Sequence, residues 1–234
     1  MTKTRWIVFA VICLLLLGGI AVLAKQNRVD VSGIDPAKVI QDGDFPDHVE
    51  GDKSSKVVFI EYGDYQCPIC GSVAQPLKDT LQPYIEQGKI AFVFRNYPLT
   101  SIHPNTLAAA AAAEAAGLQG KYWQMHDKLY ENQDAWASAA PDQRQTYFDG
   151  YAQDLGLNVD QFRTDMASKQ VSKHINRDRA LGEKINVTGT PTFVLNGKTL
   201  EASVNSALQN GDSSQLEELL DQAIKDTGGQ PPKH

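Results

Sequence analysis

Read for apolar and polar positions, the chain opens with its longest apolar run. Trp6 to Ala24, WIVFAVICLLLLGGIAVLA, is uncharged over 19 residues and flanked by Lys3 and Arg5 before it and Lys25 and Arg28 after it. As a helix it would extend roughly 29 Å, close to the ~30 Å hydrocarbon core of a bilayer. Val22 and Ala24 could also stand before a signal-peptidase cut. The run exceeds the usual ~7–15-residue core of a signal peptide, which argues for a retained anchor. Both readings export the remainder of the chain. The basic residues are balanced across the run, so orientation rests on the export-like layout. Residues 1–5 then form a short cytoplasmic N-terminus. Residues 25–50 are polar and aspartate-rich, with Pro36 and Pro46, and read as a tether ordered in part against the domain.

Periodicity then changes. KVVFIEY (56–62) is a continuous β-branched and aromatic run, the mark of a buried central strand. A helix is predicted from Pro68 to Gln87, with Gly88 ending it and Pro76 expected to kink it or remove a hydrogen bond. KIAFVFRNYPL (89–99) is a second strand, which makes a parallel βαβ unit. The next ninety or so residues read as helices: alanine-rich NTLAAAAAAEAAG; GKYWQMHDKLY, with Tyr122, Met125 and Leu129 on one face; a helix opened by Pro141 and closed at Gly156; and one or two more after Asn158 as a cap. TGTPTFVLNGKTLEA predicts strand, Asn196-Gly197 hairpin, strand, and SSQLEELLDQAIKDT a helix capped by Ser213 or Ser214. The order β–α–β, helical block, β–β–α fits an α/β fold of three layers around one mixed sheet.

Composition narrows the class. With 42% apolar and 21% charged residues, wholesale disorder is excluded. A net charge of −6, with lysines and arginines scattered, excludes a nucleic-acid surface. Three cysteines are too few for a disulfide-built scaffold. Cys13 lies mid-span and reads as a small apolar filler.

Cys67 and Cys70, two residues apart in YQCPICGS, carry the candidate chemistry. A zinc clip needs four ligands, and no histidine lies at ligand spacing to the pair. A structural bridge over so short a loop would constrain little unfolded-chain entropy. Inert buried thiols and a redox pair remain. Pro68 favours the first helical position, which makes Cys67 the cap residue, its sulfur facing the N–H groups of Ile69 and Cys70. The helix dipole, worth about 0.3–2 kcal/mol, lowers that thiol by roughly 0.2–1.5 pH units before sulfur hydrogen bonds add to it. Cys67 is then the nucleophile, and the more enclosed Cys70 resolves its mixed disulfides. The Pro-Ile spacer carries no cation or side-chain donor, so an extreme shift is not expected. Glu61, six residues before Cys67, either relays the proton of Cys70 or is a strand-end carboxylate wet enough to stay ionised. Asp64 reads as a turn residue and His103 as a helix-start residue, while Tyr122, Trp123 and His126 read as packing. Thr190-Pro191 precedes an apolar strand, where a cis bond and an exposed backbone edge for an extended substrate are expected.

Together EYGDYQCPIC, the segment from His103 to Trp136 and VTGTPTFVLNG resemble the DsbA-type thiol–disulfide oxidoreductases, in particular the membrane-anchored DsbA-like group that includes BdbD. The resemblance covers about residues 48–226. It implies a thioredoxin fold in two parts (51–100 and 187–227), an inserted helical domain (101–186) and a flexible tail (228–234), all behind a single transmembrane helix at 6–24. It implies that Cys67 attacks, that Cys70 is its partner, that Pro191 is a cis-proline preceded by Thr190, and that Glu61 matches the buried acid. The redox-active Cys67–Cys70 disulfide serves in place of a cofactor. Implied partners are exported unfolded proteins with thiols and a membrane quinone-linked reoxidase, met outside the cytoplasm. Ile69 stands where the best-known DsbA has histidine, which argues against strong oxidising power. Some relatives bind calcium, but no position here matches such a site. Two alternatives stay open: a reductase or isomerase using the same pair, and a tethered chaperone-like binding module without redox chemistry.

Overall fold

The computed structural model describes residues 6, 12–13, 29–41, 43 and 45–232. The expected membrane span lies outside them except for Trp6, Ile12 and Cys13, and the C-terminal end of the tail also lies outside. Among the described residues no helix is long and apolar enough to cross a membrane.

The sheet is built around β2 (Val58–Gly63). It pairs in parallel with β3 (Ala91–Asn96) on one side and antiparallel with β4 (Thr192–Leu195) on the other. β1 (Val49–Gly51) runs antiparallel to β3, and β5 (Lys198–Thr199) to β4, giving the order β1-β3-β2-β4-β5. Asn196 and Gly197 turn the last hairpin at φ 48° and 83°, as the Asn-Gly pair predicts.

Strand alternation decides which side chains meet which layer. Phe59 joins Phe92 and Phe193 against Leu77 and Leu81 of α1 (Pro68–Glu86), with α8 (Ala202–Gln209) and α9 (Ser214–Asp226) completing that layer. Ile60 and Tyr62 point the other way, against Leu181 and Val187. The helical insertion runs α2 (Thr106–Leu118), α3 (Tyr122–Glu131), α4 (Gln133–Trp136), α5 (Pro141–Asp154), α6 (Val159–Met166) and α7 (Lys169–Lys184). Its alanines, Met125, Leu129, Trp136, Phe148 and Phe162 form a core that is continuous with Cys67 and Cys70.

Three details add to the sequence-based expectation. α7, expected as part of the inserted domain, covers the second face of the sheet through Leu181. α1 contains a second proline, Pro83, besides Pro76; each lacks the N–H for its ladder bond, and the helix continues through both. α8 was not expected, because a short helix burying only Val204 and Leu208 leaves almost no periodic signal.

The described part of the polar segment 25–50 is also more than a tether. Val31, Ile34, Val39 and Ile40 pack on the Ile60/Tyr62 face, and residues 49–51 are β1. Arg95 draws the segment in. Fully buried, it donates to the carbonyls of Pro36 (2.6 Å) and Lys38 (2.8 Å), to the Tyr62 hydroxyl (3.0 Å) and to Asp47 (2.8 Å). Arg177 of α7 donates to the other Asp47 oxygen at 2.8 Å. Removing Arg95 leaves Asp47 with Arg177 as its remaining cation and takes the donor from two carbonyls and the Tyr62 hydroxyl. Arg95→Met is therefore expected to lower stability by about 3–5 kcal/mol in urea unfolding followed by circular dichroism, and Asp47→Asn added to it to cost less than the sum of the two changes.

Candidate active site

Cys67 caps α1 with extended backbone (φ −68°, ψ 122°) and Pro68 behind it, as its sequence neighbours require. The Cys67 N–H donates to the carbonyl of Asp64 at 3.0 Å, and the Gly71 N–H donates to that of Cys67 at 3.1 Å. Both thiols are free; Cys67 keeps 5% of its surface and Cys70 none.

The two sulfurs are chemically unequal. The Cys70 S–H donates to the Cys67 sulfur, and this is the main reason the Cys67 thiol is pulled down to about 5. Burial opposes the shift, while Thr190 and the N–H groups of Cys70 and Ile69 add to it. Those N–H groups point at the sulfur from the first turn, short of a fully formed capping hydrogen bond. Burial, reinforced by the same S–H donation, holds Cys70 well above an ordinary thiol. The depression of Cys67 exceeds what the helix dipole alone provides, so the Pro-Ile spacer does not prevent an acidic cysteine. The additional donor is the partner thiol itself.

Thr190 meets Cys67 in a way that depends on charge. The peptide bond between Thr190 and Pro191 is cis, as expected, and the Thr190 carbonyl lies 3.4 Å from the Cys67 sulfur. A carbonyl can accept from the thiol but has nothing to give the thiolate. The Thr190 hydroxyl, buried without another partner, is the group able to donate to the ionised sulfur. Asn205 of α8 steadies this loop by donating to the Pro191 carbonyl at 3.0 Å.

Glu61 resolves in favour of the buried acid. It stands on the α1 face of β2, paired in register with Phe94 on one side and Phe193 on the other. That surrounding removes its water and lifts the carboxyl to about 8, with the charge of Cys67 adding to the shift. It is 3% exposed, so the reading of a wet strand-end carboxylate does not hold.

Asp64 does more than turn the chain. It accepts from the N–H groups of Gln66 and Leu99 and from the Thr106 hydroxyl, and its other contact is His103 at 2.8 Å. His103 thus orients the loop and does not face the sulfurs. Sequence reasoning missed Gln133, whose amide donates to the carbonyls of Tyr65 (2.7 Å) and Cys67 (3.0 Å). It lies 66 residues from Cys67 in the chain, and no local pattern marks it.

Among the described residues one group of metal-ligating type occurs, His48, Glu114 and His174. Calcium prefers six to eight oxygens, and this set offers two imidazoles and one carboxylate. Both rings meet the same Glu114 oxygen, His48 at 2.9 Å and His174 at 2.7 Å. Arg177 lies 2.9 Å from the other His174 nitrogen. Since arginine only donates, that nitrogen supplies the lone pair, and the ring proton sits on the nitrogen facing Glu114. The cluster is therefore filled by its own hydrogen bonds and does not fit the calcium known in some relatives.

Fold and site define a thioredoxin-fold protein with an asymmetric dithiol at a helix start and a cis-proline loop facing it. A family model described as Thioredoxin matches residues 44–222, and the chain belongs to that family. A thioredoxin-like oxidoreductase from Silicibacter pomeroyi DSS-3 is 27% identical, with a TM-score of 0.61 over 79% of this chain and 95% of that one. Oxidised BdbD from Bacillus subtilis is 21% identical, with a TM-score of 0.65 over 76% and 93% of the two chains, and shares the fold. The Na(+)/H(+) antiporter NhaA 1 of Salinispora arenicola is 38% identical over 159 residues, which is 68% of this chain but 23% of that protein. The chain thus spans about a quarter of the length of the curated relatives it matches, and their transport activity does not carry over with the match.

Alkylation of the reduced protein by iodoacetamide, read by peptide mass, should modify Cys67 and spare Cys70, with a rate at Cys67 that rises through pH about 5 and levels off below the range of a free thiol. Thr190→Val should raise that midpoint by about one to two units, since a hydrogen bond to a charged group is worth about 1.5–3 kcal/mol; thiolate absorbance measures it.

Proposed function

We propose that the chain is an extracytoplasmic thiol–disulfide oxidoreductase that donates its Cys67–Cys70 disulfide to exported proteins. The observation that carries the reading is the opposed acidity of two adjacent sulfurs, one lowered to about 5 and the other held well above a free thiol. A substrate thiolate attacks the Cys67 sulfur, the bond to Cys70 breaks, and Cys70 leaves as a thiolate that must gain a proton. Glu61 is the nearby acid able to give it. A second substrate thiol then attacks the mixed disulfide, and Cys67 departs as a stable thiolate. Because the fold stabilises that thiolate, it favours the reduced protein and makes the disulfide transferable.

The pH dependence takes its sign from the same thiol. The Cys67 proton is held less tightly in the folded reduced state than in the unfolded one. Its contribution to the reduced form is therefore complete above the range of a free thiol and fades as pH falls through about 5. Disulfide donation weakens with it.

Residues 6–24 are proposed to anchor the chain in the membrane with the catalytic domain outside the cytoplasm, and a quinone-linked membrane protein to restore the disulfide. Ile69, 43% exposed beside Cys67, offers an apolar contact to an unfolded client. The oxidised protein should convert a reduced unfolded client to its disulfide form, and Cys67→Ser/Cys70→Ser should abolish the conversion. Equilibration against glutathione should give a potential above that of thioredoxin. A thioredoxin-like value would instead favour the reductase or isomerase, and full activity of the double serine variant in cells the binding module.

A further inference from the structure

Between α1 and α3 lies a cavity of about 90 Å³, lined also by Glu50 of β1 and Glu61 of β2. Leu77 and Leu81 of α1, Phe92 of β3 and Trp123 of α3 make much of its wall apolar. A space of about 150 Å³ takes a benzene ring, so this one admits a slender chain rather than a ring. Lys78 and Asp127 mark its exposed end, and Glu61, His126 and Tyr130 its buried end.

Two side chains at the buried end carry a polar atom that meets no protein partner: the His126 Nε2 and the Tyr130 hydroxyl. Both residues are only 8% exposed. The other His126 nitrogen lies 3.3 Å from the Asp127 carboxylate, which only accepts, so the ring proton sits there and Nε2 offers a lone pair. Burial keeps that ring neutral. Buried polar atoms without a partner are costly, and a polar group entering the cavity would relieve them.

Charge decides what kind of group that is. The described residues lining the cavity include the carboxyl groups of Glu50, Glu61, Asp127 and Glu131 but one cation, Lys78, which is already paired with Asp127 at 2.5 Å. Burial and then the Asp127 charge raise the Glu50 carboxyl, and the pull of Lys78 does not offset them. The cavity therefore favours a positive group. A metal ion does not suit it, because these carboxyl groups do not converge on a point; among the described residues the one converging group is His48, Glu114 and His174. An ammonium does suit it. Its three N–H donors can serve acceptors that lie apart, and an alkyl stem matches the apolar wall.

We propose that this cavity is a binding site for a primary ammonium on an unbranched alkyl stem, the chemistry shared by a lysine side chain of a client protein and a free diamine. The ammonium donates to the His126 Nε2, the Tyr130 hydroxyl oxygen and the Glu61 carboxyl. Its stem lies along Leu77, Phe92 and Trp123, and the acids at the exposed end attract it. Neither sulfur takes part, so the site does not depend on the exchange reading above.

n-Butylammonium chloride titrated into the full chain at neutral pH and low salt should shift the Trp123 indole N–H resonance to saturation, and added salt should weaken the binding by screening the acids. 1-Butanol, which lacks the charge, and tetramethylammonium, which lacks N–H donors, should bind at least about tenfold more weakly. Tyr130→Phe and His126→Phe should each lower the affinity about tenfold, and Ala74→Leu, which fills the cavity from α1, should remove it. Circular dichroism checks the folding of each variant; Ala74 is half-buried, so its variant decides the matter if an exchange on α3 does not fold. A capped lysine peptide and 1,4-diaminobutane, compared in the parent and in Ala74→Leu, separate the sources. Cavity-dependent binding of the peptide assigns the site to client lysines, and of the diamine alone to a free amine. Absence of a saturable shift with n-butylammonium, equal binding of 1-butanol, or folded variants that bind as the parent does would overturn the site.

Discussion

The chemistry of this protein depends on one hydrogen bond, from the Cys70 thiol to the Cys67 sulfur. It makes two residues of one type behave as a strong and a weak acid within a single helical turn. A donor that stays protonated must sit beside an acceptor that does not, and the fold meets both demands by depth. Cys67 stands at the N-terminal edge of α1, where backbone N–H groups and the Thr190 hydroxyl stabilise its charge. Cys70 is one turn in, where burial outweighs the one backbone group, of Asp64, that favours ionisation. The same depth keeps Glu61 protonated, between Phe94 and Phe193. Three acids share one enclosed volume, and only one of them is ionised at neutral pH.

The helical insertion is what makes that enclosure possible. A sheet with a single covering helix would leave the far side of Cys70 and Glu61 open. Phe94, Tyr130 and the alanines of α2 close it, and Gln133 ties the insertion to the carbonyls on either side of the cap. The close fit is visible at Gly71, where a side chain would collide with the Gln133 amide at 2.5 Å. On the opposite face, Arg95 and Arg177 bind Asp47 and the preceding carbonyls, so the described residues between 31 and 51 are packed onto the sheet.

The longer proteins bearing antiporter names match this chain over about a quarter of their length, while the thioredoxin family model spans residues 44–222, which hold the sheet, its covering helices and the insertion. The chemistry of the unit comes from its own side chains and not from its neighbours in those chains.

By itself, the sequence determined the elements whose signals are local. Alternation and β-branching marked β2 and β3, Cys-Pro marked the start of α1, Asn-Gly marked the last hairpin, and Thr-Pro marked the loop that faces the dithiol. Each of these is set by backbone preferences of adjacent residues. Tertiary structure decided everything that depends on distance across the fold: the buried state of Glu61, the second role of Asp64, the contribution of Gln133, the place of α7 on the sheet, and the capture of Pro36, Lys38 and Asp47 by Arg95. Acidity belongs to this second group, because a pKa is set by the water removed and the donors brought near, and a linear chain specifies neither until it has closed around the site.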